Sequence, residues 1–187
     1  MAPSGPVQRG AVSAGARFLE RAGFRVRLAR HLFDRRGHLA GSDEARAADL
    51  NRMLSDPDVR CVLMARGGYG LLRIAPEVDW GAMRRDPKIF AGFSDATFLH
   101  LGFARHAGVR TLHGPNLQGL STKHGGEGRR WLAWVTQPRP AESVRTFRAR
   151  ARLVGGSGAE GRVFGGNLTL VHYAIGIGTL PSLRGSI

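Results

Sequence analysis

Residues 60–65 read Arg-Cys-Val-Leu-Met-Ala, a run with almost no side chain that belongs in water. It is far shorter than the roughly 18 apolar residues that cross a bilayer. A near-continuous apolar run of this length fits a strand covered on both faces, and such strands belong to parallel sheets flanked by helices. The run therefore points to an α/β architecture, and its neighbours agree. Residues 8–22 place Val12, Phe18 and Leu19 at helical spacing, with Gly23 as a stop. Residues 24–28 read as a strand. Ser42 is placed to cap a helix over 43–54, with Asp43 and Glu44 in its first turn and Asp56-Pro57 beyond its end.

The alternation continues downstream. The glycine loop Arg66-Gly67-Gly68-Tyr69-Gly70 follows the apolar run. Residues 71–85 read as short helices broken by Pro76, residues 88–93 as a strand, 95–106 as a helix and 109–113 as a strand. The order α-β-α-β-α-β-α-β implies a mostly parallel sheet with helices on both faces. After Pro115 the pattern changes. We expect an α/β domain over residues 1–120, a linker over 121–145 with a short helix at 127–135, and the start of a small β-rich C-terminal domain over 146–187.

Composition narrows the function classes. The net charge of +14 raises nucleic acid or a membrane surface as partners. However, the cations are scattered from Arg9 to Arg184, almost all are Arg, and no basic stripe is interleaved with aromatics. Neither a nucleic-acid nor a membrane partner is expected. The N-terminus, Met1-Ala2-Pro3-Ser4-Gly5-Pro6, lacks the basic start and apolar stretch of a signal peptide. Cys61 is the only cysteine, reads as a buried small hydrophobe, and fits a reducing compartment. The seven histidines show no metal-ligand spacing, so no metal is expected. Gly156-Ser157-Gly158-Ala159-Glu160-Gly161 matches a dinucleotide-binding spacing, but such a site would also need a helix opening there and an acidic residue about 20 positions on, and no acidic residue follows Glu160, so no cofactor is expected.

The strongest chemical signal is the apolar strand running into Gly92-Phe93-Ser94-Asp95-Ala96 and then into a helix. Gly-x-Ser-x-Ala between strand and helix is the arrangement of a nucleophile elbow, with Ala for the usual final Gly. Such a turn holds the Ser94 hydroxyl clear of the sheet and sets the Asp95 N–H at a helix start, where it can stabilise an oxyanion. The spacing alone is equally compatible with Ser94 or Asp95 capping the helix. Gly67 and Gly68 present backbone N–H groups free of side chains, suited to an anion or an oxyanion hole. Both loops, and the strand ending at His113, reach the carboxyl edge of the sheet, where open α/β sheets place ligands. His113 fits a base, a substrate contact or a turn residue.

These pieces resemble the LD-carboxypeptidase family of serine peptidases, which includes the microcin-immunity peptidases. The resemblance is carried by Ala2-Pro3-Ser4-Gly5-Pro6, by Ala65 through Gly70, by Pro87-Lys88 through Gly92-Phe93-Ser94-Asp95-Ala96-Thr97, and by Thr111-Leu112-His113-Gly114-Pro115. It ends with Gly161-Arg162-Val163-Phe164-Gly165-Gly166-Asn167-Leu168 and Gly178-Thr179. The resemblance implies Ser94 as nucleophile, an oxyanion hole from the Asp95 N–H and Gly67 or Gly68, and Arg66, Tyr69 and His113 as substrate contacts. It further implies a metal-free Ser–Glu–His triad, release of the terminal D-alanine from murein tetrapeptide in cytoplasmic cell-wall recycling, and a homodimer. The microcin-immunity branch implies a peptidyl or aminoacyl nucleotide substrate instead. The family's Glu and His lie downstream of the segment matched by Gly178-Thr179, and neither is found in this sequence. The resemblance thus implies a fragment that is inactive alone, or a muropeptide-binding module.

Overall fold

The computed structural model describes residues 1–121, 126–137 and 161–187. Its centre is a parallel sheet of three strands, β1 (Cys61–Leu63), β2 (Ile89–Gly92) and β3 (Leu112–His113), in the order β1-β2-β3. Cys61 lies opposite Ile89, and Gly92 opposite His113. Helices α1 (Arg9–Arg21) and α2 (Asp43–Ser55) precede the sheet, α3 (Trp80–Arg85) and α4 (Thr97–Gly102) fill its two connections, and α5 (Leu117–Leu120) and α6 (Gly126–Thr136) follow it. The mixed α/β class with a parallel sheet is therefore as the apolar runs require.

Local chemistry explains most boundaries. The Ser42 hydroxyl accepts the Ala45 N–H at 3.2 Å and starts α2. Lys88 is buried, and its ammonium donates to the Asp56 carbonyl just past the end of α2 at 2.9 Å and to Asp86 Oδ2 at 2.5 Å. One lysine thus fastens the end of α2 to the start of β2. Pro76 sits inside a 3-10 turn over Leu72–Glu77 rather than between two helices; the break falls at Val78 and Asp79, where the Asp79 carboxylate caps α3 through the Ala82 N–H at 2.9 Å. The helix expected over 95–106 is three pieces: a 3-10 turn at Ser94–Ala96, then α4, then a π turn at Phe103–Ala107 closed by Gly108 at φ 69°.

The core gathers on β2. Phe90 is fully buried, with the rings of Phe103 and His100 centred 5.1 and 5.2 Å away, edge-on. Trp80 crosses the same region, 5.5 Å from the Phe103 ring. Gly102 leaves room for it, since a Cβ there would lie 2.4 Å from the indole. Arg46 is equally buried, and its guanidinium donates to the carbonyls of Pro3 and Gly70 and to Asp43. It therefore ties the N-terminal segment to the glycine loop from behind.

Two expectations need correction. Residues 24–28 alternate as a strand should, with Phe24 and Val26 half-buried and Arg25 and Arg27 exposed, but no strand among the described residues pairs with them. The β1 edge turned away from β2 instead receives Met1, whose ammonium donates to the Leu63 carbonyl at 3.1 Å and whose carbonyl accepts the Ala65 N–H at 2.8 Å. Downstream, where strands and glycine turns are expected, residues 168–176 form α7 (Leu168–Gly176), capped by the Asn167 side chain on the Leu170 N–H at 3.3 Å. Its apolar sequence packs on α4, where a helix buries Leu170 and Ala174 together. The β structure within 161–187 is the single bridge between Arg162 and Ser186. Residues 122–125 and 138–145 of the expected linker, the strands expected from 144 to 160, and nearly all of the glycine-rich dinucleotide-like stretch lie outside the described residues.

Two glycines of α1 test this packing. A Cβ at Gly15 would lie 2.6 Å from the Leu117 carbonyl oxygen, whereas Gly10 faces open space. Gly-to-Ala inside a helix gains about 1 kcal/mol from propensity alone. Gly10→Ala is expected to raise stability by up to about that amount. Gly15→Ala should lower it by about 1–3 kcal/mol, because α1 must move off the backbone of α5. Urea unfolding of the two variants checks the opposite signs.

Candidate active site

Ser94 stands at the carboxyl end of β2 with φ 66°, and it is the only non-glycine with positive φ among the described residues. A side chain held there costs on the order of 1–3 kcal/mol and persists only where surrounding contacts impose it. Those contacts are visible. The Phe93 N–H donates to Asn116 Oδ1 at 3.1 Å, fixing the approach to the turn. Gly92 and Ala96 must be small: a Cβ on Gly92 would lie 3.0 Å from both the Ala96 Cβ and Asn116 Oδ1, and 3.2 Å from the Met64 Cβ. After Ser94 the chain turns straight into the 3-10 turn and α4. This is the strand–turn–helix geometry expected of an elbow, and neither Ser94 nor Asp95 uses its side chain as a helix cap.

Asp95 points the other way. One carboxylate oxygen, Oδ2, accepts the Ser4 hydroxyl at 2.6 Å and the Leu71 N–H at 3.1 Å. Burial pushes its pKa above the ordinary carboxylate range, while the bonds from Ser4 and Leu71 and the charge of Arg46 pull against that rise. The side chain is thus a brace between three segments, leaving its backbone N–H at the start of the helical turn beside Ser94.

The glycine loop closes on the elbow from β1. A Cβ on Gly67 would lie 2.9 Å from the Ser94 Cβ and 3.1 Å from its Oγ. Gly68, at φ 139°, would place a Cβ 2.7 Å from the Gly5 nitrogen. Side chains are therefore shut out at both positions, and the Gly5 N–H donates to the Gly67 carbonyl at 3.3 Å. In front of Ser94 opens a cleft of about 410 Å³, lined by Arg66, Gly67, Gly68, Phe93, Ser94, Asn116, Gln118 and Gly119. Arg66 donates to the Pro6 carbonyl at 2.9 Å, which sets its guanidinium at the rim.

Not every expected residue enters this cleft. Tyr69 is half exposed and rests against His38, with ring centres 5.8 Å apart. His113 is exposed beside Gly92 and its ring lies tilted against that of His100, 5.5 Å between centres, outside the cleft lining. Partial burial lowers its pKa. His100, which the sequence did not single out, is a structural residue. Its Nε2 lies 2.9 Å from the Gly92 carbonyl, so that nitrogen carries the proton, and Nδ1 accepts the Thr111 hydroxyl at 2.7 Å. Burial lowers its pKa to about 4, keeping it neutral. Ser4, Asn116 and the carboxylate of Asp95 were also missed as site-building groups. Ser4 lies within a motif already noted, while Asn116 follows His113-Gly114-Pro115 directly and had no sequence signal of its own. Among the described residues, no His, Asp or Glu side chain bonds the Ser94 hydroxyl. No group of His, Cys, Asp and Glu fit to hold a metal occurs among them either.

The profile described as the LD-carboxypeptidase N-terminal domain matches residues 1–114, and the chain belongs to that family. It is 36% identical over its whole length to a probable murein peptide carboxypeptidase of Bacillus subtilis, covering 59% of that protein. It is 32% identical, again over its whole length, to the murein tetrapeptide carboxypeptidase of Pseudomonas aeruginosa, covering 63% of it. The chain thus spans about three-fifths of the length of these curated relatives. Its fold matches the microcin C7 self-immunity protein in complex with aspartyl sulfamoyl adenosine, with a TM-score of 0.84 at 24% identity over 100% of this chain and 65% of that one. No helix among the described residues is long and apolar enough to cross a membrane.

The Asp95 brace is directly testable. Asp95→Ala leaves the buried Ser4 hydroxyl and Leu71 N–H without their acceptor and is expected to lower stability by about 1–3 kcal/mol. Asp95→Asn keeps an acceptor oxygen and removes a carboxylate that burial disfavours, so it should lose less than Ala. Thermal melts of the two variants against the parent check that order.

Proposed function

We propose that this chain is the nucleophile-bearing part of a serine-type LD-carboxypeptidase that releases the terminal D-alanine from murein tetrapeptide, in cytoplasmic cell-wall recycling. The observation that carries the reading is Ser94, held at φ 66° against a glycine that cannot bear a side chain, at the floor of an open cleft. The names of the curated relatives support the substrate class.

In this reading the Ser94 Oγ attacks the carbonyl preceding D-alanine and loses its proton to a base. The Asp95 N–H, together with that of Gly67 or Gly68, stabilises the oxyanion. The C–N bond breaks, the amine of D-alanine takes up a proton, and water then hydrolyses the acyl-enzyme. Arg66 at the rim suits a substrate carboxylate. Tyr69 and His113, outside the cleft lining, fit contacts made by longer substrates rather than by the reacting group. The base and its orienting acid, a His and a Glu, belong to the region that the longer relatives have beyond the match. A serine without a base is a weak nucleophile, and losing a triad member elsewhere removes a factor of about 10⁴ to 10⁶. This chain alone is therefore inactive or nearly so, and the longer form acts as a homodimer.

A second reading rests on the fold shared with the microcin self-immunity protein, whose structure holds an aminoacyl nucleotide analogue. The same elbow would then cut an aminoacyl or peptidyl nucleotide. A D-alanine release assay on murein tetrapeptide separates these readings, run on this chain and on a form extended at its carboxyl end to the length of the relatives. The extended form should release D-alanine, Ser94→Ala should abolish the release, and the short chain should fall about 10⁴-fold or more below it. Cleavage of aspartyl sulfamoyl adenosine without D-alanine release would favour the second reading. Muropeptide binding without turnover of either substrate would make the protein a binding module.

A further inference from the structure

Asn116 stands where a helix cap is expected and does not act as one. It is the residue before α5, in extended conformation, yet its side chain makes no cap bond. None is needed. The Leu117 and Gln118 N–H groups donate to the Met64 and Ala65 carbonyls at 2.9 and 3.2 Å, and the Gly119 N–H donates to the Asn116 carbonyl at 2.8 Å. The donors that an Asn cap would serve are thus already satisfied. The side chain turns to the elbow instead, where Oδ1 accepts the Phe93 N–H at 3.1 Å.

That bond also orients the other end of the amide. A backbone N–H can meet only the oxygen, so the nitrogen is the free end. Among the described residues nothing accepts the two Nδ2 hydrogens, and the atom is not sealed from solvent. Asn116 borders the cleft in front of Ser94, which is the space open to them. The residue is only 4% exposed. An amide donor held at one end and buried to this degree is preorganised, with little side-chain freedom left to lose when an acceptor arrives.

The two walls of the cleft set how an extended peptide lies across Ser94. Gly67 and Gly68 form one wall, and Asn116 and Gln118 the other. In an extended chain, successive residues turn their carbonyls to opposite sides. A scissile carbonyl whose oxygen points at the glycine loop and the Asp95 N–H therefore sends the next C=O towards Asn116. When the residue after the scissile bond is the last one, that group is the terminal carboxylate. We propose that Asn116 reads the free chain end: its Nδ2 donates to the terminal carboxylate of the departing residue, across the cleft from the oxyanion hole. This role rests on the peptidase reading, since it needs a scissile bond at Ser94. Arg66, already bonded to the Pro6 carbonyl at the rim, is left for a carboxylate elsewhere on the substrate.

The chemistry defines the substrate class. A hydrogen bond from the amide to an ionised carboxylate is charge-assisted and stronger than the same bond to a carboxamide. Peptides that end in a free carboxylate are therefore preferred over peptides of the same shape that end in an amide. Substitution separates this role from bracing of the elbow. Asn116→Asp keeps an oxygen for the Phe93 N–H, but it replaces the donor by a negative charge that repels a carboxylate and accepts from a carboxamide. Asn116→Ala removes brace and donor together.

The test measures kcat/KM of the form extended to its relatives' length, for murein tetrapeptide and for the same peptide ending in D-alaninamide. The ratio of the two values is read, because general damage to the elbow lowers both alike. The parent is expected to favour the free acid by about tenfold or more, chiefly through KM. Asn116→Asp should invert the preference, and Asn116→Ala should bring the ratio towards one. Amide exchange at Phe93 should stay slow in Asn116→Asp and quicken in Asn116→Ala, which reads the brace apart from the donor. A parent with no preference overturns the role given to Asn116. So does a preference that Asn116→Ala retains, even where Asn116→Asp shifts it by charge at a distance; Arg66→Gln should then lose the preference instead. Those outcomes leave the peptidase reading standing. If the extended parent cleaves neither peptide, that reading falls, and the carboxylate subsite falls with it.

Discussion

A single carboxylate oxygen holds the site together. Asp95 Oδ2 bonds Ser4, 91 residues away in the chain, and the Leu71 N–H, 24 residues away. Ser4 fixes the N-terminal segment, which Gly5 joins to Gly67; Leu71 fixes the far end of the glycine loop; and Asp95 itself is the residue after Ser94. That junction ties the elbow to the glycine loop and the N-terminal strap, which are also joined to each other through Gly5 and Gly67. Burying a carboxylate is unfavourable, and the raised pKa records it. The brace persists because it satisfies two buried donors that would otherwise be unpaired. Arg46 reinforces it from behind through Pro3 and Gly70.

With the frame fixed, the strain at Ser94 becomes intelligible. A positive φ aims the hydroxyl out of the sheet, and the absence of a side chain at Gly67 leaves room for a reacting group beside it. The opposite wall of the cleft comes from Asn116, Gln118 and Gly119, held because the Leu117 and Gln118 N–H groups donate to the Met64 and Ala65 carbonyls at 2.9 and 3.2 Å. The same two residues, just past the end of β1, thus set both the entry to the glycine loop and the far wall of the cleft. α7 docks on the elbow helix through the Asn167 N–H to Thr97 Oγ1 at 2.9 Å, with Gly166 packed so closely on Thr97 that no side chain fits. Residues carrying the downstream part of the family resemblance therefore rest on the helix that starts at the nucleophile.

Much of this was legible in the sequence, for identifiable reasons. The run from Cys61 to Ala65 has no polar side chain to misplace, so its strand followed, with Val62, Met64 and Ala65 buried and Cys61 and Leu63 half-buried. The Gly-x-Ser-x-Ala pattern required the turn that Ser94 makes, because small residues flank it where strand and helix touch. Other features depended on partners that the sequence does not announce. Residues 24–28 have a strand's alternation, yet a strand also needs a ladder partner, and none lies beside them among the described residues. Residues 168–176 are apolar enough for either element; the Asn167 cap and the contact with α4 decided for helix. Tyr69 follows Gly68 in sequence, but it turns to His38 rather than to the cleft. His113 is adjacent to Gly92 in register yet leans on His100, whose two ring nitrogens bond the end of β2 at Gly92 and the approach to β3 at Thr111.

The claim on which the account turns is that Ser94 is the reactive residue of the cleft. The most direct measurement is peptide mapping by mass spectrometry after treating the form extended to its relatives' length with a fluorophosphonate, which labels activated serines. The account predicts one adduct, on Ser94, that disappears in Ser94→Ala and weakens in Asp95→Ala. Labelling of another serine, or the same labelling when Ser94 is replaced, would contradict it.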